Sequence, residues 1–117
     1  MDRQTRLNAE GNMDSGNRIL MLTLTADDPT YQMKPGDNVV HAVSTAGDGV
    51  AIITLPSVAE AAGQLYIIVA TTGAAGGDIS LHLKETGAEG YDMDADDDHI
   101  GLLSDGVNWR SVVAGIA

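Results

Sequence analysis

The chain has 117 residues, which is enough for one domain with a modest hydrophobic core. It carries 17 acidic and 6 basic residues, a net charge of -11, which argues against nucleic-acid binding because phosphates are held by clustered Lys and Arg. It contains no cysteine, which excludes a disulfide framework, a thiolate metal site and a cysteine nucleophile.

The composition also limits how the interior is filled. There is no Phe, one Trp and three Tyr, so Ile, Leu, Val and Ala must form most of the core. A small core with few rings gains stability when identical copies share it, so we expect a homo-oligomer. No apolar run approaches the roughly 18 residues of a membrane-spanning helix, and the first residues lack the apolar core of a secretion signal. We therefore expect a soluble protein made in the cytoplasm, with no membrane partner.

Residues 1–17 are predicted to form an extended N-terminal arm, because they are polar and show no sustained apolar period. Half of the basic residues lie in or directly after this arm: Arg3, Arg6 and Arg18. Such an arm can approach an acidic partner while the acidic body stays in solvent. The alternative is a disordered terminus whose charges have no role.

Residues 18–117 are predicted to form a single β domain. Strand patterns occupy 18–25, 39–43, 50–55, 65–70, 78–83 and 108–113, and loops are predicted at 71–77 and 86–98. The first strand has two apolar faces, one of which carries Leu20, Leu22 and Leu24. This pattern favours a strand covered on both sides, with a second copy as one possible cover, and disfavours an exposed edge.

Pro and Gly mark the turns between these strands. Residues 34–38 read Lys-Pro-Gly-Asp-Asn, a β-turn in which Gly36 is expected to take a positive φ. Ser57 and Glu60 have the spacing of a capping box, and Gly63 supplies the left-handed residue that ends a helix. One short helical turn is therefore predicted at this point.

These elements predict an all-β fold class. Strands at intervals of roughly ten to fifteen residues, separated by turn residues, are typical of a compact antiparallel β sandwich or barrel. An intertwined trimeric β-prism fits the same pattern. Both forms would carry the extended N-terminal arm and the single helical turn.

Residues 92–98 begin like a calcium-binding loop, with carboxylates at alternate positions. The pattern then departs from that loop, because Asp97 stands where Gly is needed and Leu103 where a bidentate Glu is needed. We predict a solvated acidic loop, with a loosely held divalent ion as the alternative.

The remaining polar residues predict neither catalysis nor a cofactor or metal site. His41, His82 and His99 lack the paired spacing of zinc ligands, so they are expected to be hydrogen-bonded or half-exposed strand residues. A cation held on a trimer axis by one histidine from each copy is the alternative. No Gly-x-Ser-x-Gly elbow or other nucleophile motif accompanies the Ser, His and Asp residues.

Trp109 follows an Asp-Gly turn, and we predict that it anchors the last strand in the core. The alternative is a surface ring that stacks on a sugar or contacts a partner protein.

Segments 50–68, 78–83 and 102–109 resemble the repeating β unit of tailed-bacteriophage virion proteins. In that unit a strand ends in Leu-Pro, a short helical turn ends in Gly, and a final hairpin carries Asp-Gly-x-x-Trp. The matching positions here are Leu55-Pro56, Gly63, and Asp105-Gly106 with Trp109. The resemblance implies a homotrimer with strands contributed by all chains, and the acidic segment 92–98 departs from it.

We therefore predict a virion structural protein: a head decoration, or cement, protein that binds the outer surface of the phage capsid and stabilises it. Its partners would be the major capsid protein and its own copies. The candidate capsid contacts are Arg3, Arg6 and Arg18. The candidate core or oligomer contacts are Leu20, Leu22, Leu24 and Trp109. The alternatives are a head or tail fibre or receptor-binding tip, a carbohydrate-binding module that uses Trp109, and a calcium-dependent adhesion domain.

Overall fold

A computed structural model describes residues 19–47, 50–72, 78–93 and 98–115 of the chain. These residues form nine β-strands and no helix. The strands are β1 (Leu20–Leu24), β2 (Thr30–Gln32), β3 (Val39–Ser44), β4 (Ala51–Thr54), β5 (Leu65–Thr72), β6 (Ile79–His82), β7 (Glu89–Met93), β8 (His99–Ser104) and β9 (Trp109–Gly115).

The strands are divided between two mixed sheets. Sheet A has the order β1-β3-β5-β8-β9, and sheet B has the order β2-β4-β6-β7. β1, β3 and β5 run parallel to one another, as do β2, β4 and β6, whereas β7, β8 and β9 pair antiparallel with their neighbours. The first six strands alternate between the sheets along the chain. β1, β3 and β5 join sheet A, and β2, β4 and β6 join sheet B. The hairpins β6–β7 and β8–β9 follow.

The prediction of an all-β fold is confirmed, but the prediction of an antiparallel sandwich is wrong for the first six strands. Side chains alternate between faces with a period of two in parallel and antiparallel strands alike, so the sequence pattern does not distinguish the two. The connections decide it, because each of these strands crosses to the other sheet before its neighbour forms.

The inward faces of the two sheets share one core, which is mainly aliphatic as the composition predicts. Tyr66 is its largest fully buried side chain. The buried hydrophobic residues are Leu24, Met33, Val40, Ala42, Ala51, Ile53, Leu55, Ala61, Tyr66, Ile68, Ala70, Ile79, Leu81, Met93, Ile100 and Leu102.

β1 is an edge strand of sheet A, so the prediction that it is not an exposed edge is wrong for the single chain. The predicted division of its faces is confirmed. Leu24 is buried, and Leu20 and Leu22 pack against the core. The opposite face stays in solvent, with Ile19 and Met21 more than half exposed.

The segment 57–63 forms a capping box without a helix. Ser57 Oγ accepts a hydrogen bond from the Glu60 amide, and Glu60 Oε1 accepts one from the Ser57 amide, each at 3.2 Å. Gly63 takes the expected positive φ of 78°. The predicted helical turn does not form: the segment makes one helix-type hydrogen bond, from the Ala61 amide to Ser57 O at 3.1 Å, and the Gly63 amide then donates to Ser104 O on β8 at 2.8 Å.

Two further local predictions need correction. The predicted loop 86–98 contains β7, whose residues pair with β6. The 34–38 turn forms, with the Asp37 amide donating to Lys34 O at 3.0 Å, but Gly36 does not take a positive φ. The Asp37 carboxylate stabilises this turn by accepting from the Lys34 amide at 2.9 Å and from the Tyr31 hydroxyl at 2.6 Å.

Candidate functional site

The outward side of sheet A, which we call the outer face, has no carboxylate in its strands and is largely apolar, although it also carries His41, His99 and Arg110. The five strands of sheet A contain no Asp or Glu, although the chain has a net charge of -11. Six large apolar side chains on this face and its margin remain exposed. They are Ile19 (57%), Met21 (65%), Leu65 (47%), Ile67 (40%), Val112 (54%) and Val113 (55%).

These side chains form three groups across the sheet. One group lies at the β1 edge, one on the central strand β5, and one on β9 at the opposite edge. Exposed apolar groups spread across one face of a sheet mark a candidate interaction surface.

Gly101 lets β9 pack closely at this face. It lies opposite Ile67 on one side and Val113 on the other. A Cβ atom at Gly101 would lie 3.3 Å from Val112 Cγ2, tighter than most real Cβ contacts, and 3.4 Å from Val113 Cγ1. The absence of a side chain at Gly101 therefore leaves room for the two valines of β9.

The histidines are dispersed. His41 lies on β3 of sheet A with its Nε2 2.9 Å from Thr71 Oγ1, while His82 on sheet B donates from Nδ1 to Gly87 O at 3.0 Å. His99 is exposed on β8, and it and His41 lie on either side of Val69 in the sheet register. Among the described residues, no group of three or more His, Cys, Asp or Glu is placed to hold a metal ion.

The other predicted site residues are three arginines and the leucines of β1. Arg3, Arg6 and Arg18 lie outside the described residues. The three leucines of β1 face the chain's own core, so the side chains that this strand offers to a neighbour are those of Ile19 and Met21.

The acidic segment is described only at its ends. Asp92 on β7 is exposed, whereas Asp98 is only 2% exposed and its carbonyl oxygen accepts from the Ala70 amide at 2.8 Å. Residues 94–97 lie outside the described part of the chain. The prediction of a solvated loop is therefore wrong for Asp98, which is held against β5.

A second feature, which we call the edge cleft, lies between the edge strands β7 and β9 and the turns beside them. Its volume is about 430 Å³, within the range of small-ligand sites. The residues that line it include Leu83, Glu85, Tyr91, Val107, Asn108 and Trp109.

Trp109 is fixed on one side of this cleft. Its ring meets the ring of Tyr66 edge to face, with centroids 5.5 Å apart and an interplanar angle of 72°. Tyr66 is in turn fixed by its hydroxyl, which donates to Pro35 O at 2.7 Å, and burial raises the pKa of this phenol. Trp109 Nε1 is buried, and within the described residues it has no hydrogen-bond partner.

Hydrogen bonds between the turns stiffen the cleft walls. The buried Ser104 donates from Oγ to Val58 O at 2.6 Å, and its carbonyl accepts from Gly63. The Val58 amide donates to Glu85 Oε2 at 2.6 Å. The 57–63 turn therefore connects the β8–β9 hairpin to the loop after β6.

The β8–β9 turn is organised by Asp105. Its Oδ1 accepts from the amides of Asn108 at 2.7 Å and Val107 at 2.8 Å, and its Oδ2 accepts from Arg110 Nε at 3.0 Å. These hydrogen bonds, that of Asn108 first, lower the pKa of the Asp105 carboxyl to about 2. Gly106 takes a φ of 91°, as the Asp-Gly turn requires.

This turn should weaken at low pH. Because the folded-state pKa of Asp105 lies below the ordinary value of about 3.9, its contribution is complete above pH 4 and is lost as pH falls towards 2. An NMR titration should show the Asp105 carboxyl signal and the Val107 and Asn108 amide signals moving together near pH 2. An Asp105 midpoint at the ordinary value would contradict the geometry.

Sequence reasoning identified Trp109 and the Asp-Gly turn but missed the opposite wall of the cleft. Tyr91 and Met93 alternate with Gly90 and Asp92, a period of two that predicts a strand. The surrounding acidic residues and glycines obscured this short signal.

No protein-family model, curated protein or solved structure matches the chain. None of the described residues belongs to a helix of the length and apolarity needed to cross a membrane.

Proposed function

We propose that this protein is a structural component of a virion, a decoration (cement) protein that binds the outer surface of a bacteriophage head as a homotrimer. The observation that carries the proposal is the apolar, carboxylate-free outer face of sheet A. The choice of a phage head as the binding partner rests on the sequence resemblance to phage virion proteins.

The charge distribution favours contact between copies at this face. Two bodies with a net charge of -11 repel each other over most of their surfaces. At sheet A this repulsion is least, because its strands carry no carboxylate. Covering the exposed halves of these six side chains would bury as much apolar surface as about three whole side chains. The hydrophobic free energy gained is about 5–9 kcal/mol per subunit. This is comparable to the free-energy cost of association, about 4–15 kcal/mol.

The apolar groups at the two edges of sheet A suit a ring of subunits. A ring closes when one patch of each subunit meets a different patch of the next. With β5 towards the axis, the β1 edge of one copy would meet the β9 edge of its neighbour. Leu65 and Ile67 would then lie nearest the axis.

The segments that carry the phage resemblance lie together in the fold. Gly63, which follows the Leu-Pro segment, donates to Ser104, the residue before the Asp-Gly turn. Trp109 from the end of that turn packs on Tyr66. The motif residues thus form one hydrogen-bonded corner of the domain.

The proposed role is mechanical. A trimer that binds only the assembled shell stabilises it by its binding free energy, and three linked contacts hold more firmly than one. The major capsid protein is the proposed partner. Arg3 and Arg6 of the arm, and Arg18 directly after it, are candidate contacts, because seventeen extended residues reach about 55 Å at roughly 3.3 Å each.

The test uses shells of the corresponding phage prepared without this protein. Adding the purified chain should coat the shells at a fixed number of copies per site and raise their disruption temperature. A chain that lacks residues 1–17 should still be folded and trimeric but should no longer coat them. Failure of the full chain to bind shells would refute the proposal, and binding of only a few copies per particle would favour a fibre instead.

A further inference from the structure

We propose that the edge cleft is a binding site for one neutral sugar unit of a glycan. The proposal does not depend on the assembly or on the capsid role. It starts from Trp109, whose indole nitrogen is buried without a hydrogen-bond partner among the described residues. This nitrogen can only donate, and a buried donor that lacks an acceptor destabilises the protein. Trp109 lines the edge cleft, but its nitrogen has no exposed surface, so the indole ring must turn towards the cleft before an acceptor there can remove this penalty.

The polar groups of the cleft suit hydroxyl groups. Asn108 offers an amide that both donates and accepts, Glu85 offers a carboxylate that accepts, and Trp109 offers a donor. A sugar hydroxyl also donates and accepts, so neighbouring hydroxyls of one ring can satisfy this mixed set. The apolar face of the same sugar ring can pack on Tyr91 and Trp109.

The charge around the cleft excludes anionic ligands. The residues that line it include no Lys, Arg or His in the described part of the chain, and Glu85 is among them. Asp105, in the adjoining turn, is paired with Arg110, so Glu85 is the carboxylate that sets the charge of the cleft. Phosphorylated or carboxylated sugars would be repelled, which leaves neutral hexoses and N-acetylhexosamines.

A basic peptide is the competing ligand. The hydrogen-bonding groups of the cleft disfavour it, because they include a donor as well as a carboxylate acceptor. An ammonium or guanidinium group would use the Glu85 carboxylate but would leave the Trp109 donor without an acceptor. The cleft walls are also fixed before any ligand binds, because Val58, Ser104 and Glu85 are linked by hydrogen bonds. A fixed site favours a rigid ring over a flexible chain.

The single tryptophan provides a specific reporter. The chain contains one Trp, so a proton–nitrogen NMR spectrum shows one indole N–H signal. The full chain should first be applied to an array of neutral glycans and then titrated with the oligosaccharides that bind. The indole signal should shift on binding, together with the amides of Tyr91 and Asn108.

Two variants and one control complete the test. Trp109→Phe keeps an aromatic ring but removes the donor, and Asn108→Ala removes an exposed amide; each should weaken binding about tenfold. Thr30→Ala, an exposed residue on β2 at the opposite edge of sheet B from β7, should leave the affinity unchanged. If no neutral glycan moves the indole signal, if Asn108→Ala binds as tightly as the unaltered chain, or if only a basic peptide shifts the signal, the proposal is overturned.

Discussion

Tyr66→Ala is expected to lower the free energy of unfolding by about 3–5 kcal/mol, the range for truncating a buried aromatic side chain. Tyr66 is completely buried between the sheets. Alanine would remove the edge-to-face contact with Trp109 and the hydrogen bond to Pro35 O, and it would leave a cavity at the centre of the core. Denaturant unfolding at a fixed protein concentration measures the loss, because the stability of an oligomer depends on concentration.

Tyr66→Phe separates these contributions. It keeps the ring and removes only the hydroxyl, so it should cost about 1 kcal/mol for the hydrogen bond to Pro35. Val107→Ala, at a residue that is 76% exposed, is the matched surface control and should change stability by less than about 0.5 kcal/mol. If Tyr66→Ala costs no more than Tyr66→Phe, the ring does not support the core as its burial indicates.

Ile67→Asp is expected to convert the proposed trimer into monomers while the domain stays folded. Ile67 lies on the central strand of the outer face, with its side chain 40% exposed in the single chain. In the trimer its replacement would bury an unpaired carboxylate, at a cost of several kcal/mol. A loss of about 4 kcal/mol weakens association about a thousandfold. Sedimentation over a range of concentrations measures the change, and circular dichroism checks the fold.

Val107→Asp is the matched control for this experiment. It also places a carboxylate on an exposed aliphatic position, but Val107 lies in the β8–β9 turn and away from the outer face. Its mass in solution should equal that of the unaltered chain. A monomeric unaltered chain, or an Ile67→Asp variant that remains trimeric, would show that copies do not meet at sheet A.

Much of the local structure could be predicted because it depends on neighbours in the chain. The alternation in β1 places its leucines on one face, since the side chains of a strand alternate whatever lies beside it. The capping-box hydrogen bonds between Ser57 and Glu60 and the positive φ values at Gly63 and Gly106 are equally local. Trp109 was placed correctly beside the Asp-Gly turn for the same reason.

The candidate sites could be predicted only in part. The lack of acidic residues in the strands of sheet A is visible in the sequence, but a common outer face exists only because β1, β3, β5, β8 and β9 lie side by side. The edge cleft brings Trp109 to Tyr91 and Glu85 from separate segments. The spacing of these residues along the chain carries no sign that they meet.

The sequence by itself determined the all-β class, the main strand positions and the turn chemistry, because hydrophobic alternation and backbone preferences act over a few residues. Only the tertiary structure decided which strands pair, in which direction, and where the edges lie. Pairing depends on how each connection crosses between the sheets. For the same reason the Gly63 amide donates to Ser104 rather than continuing a helix, since a distant carbonyl on β8 is its acceptor in the folded chain.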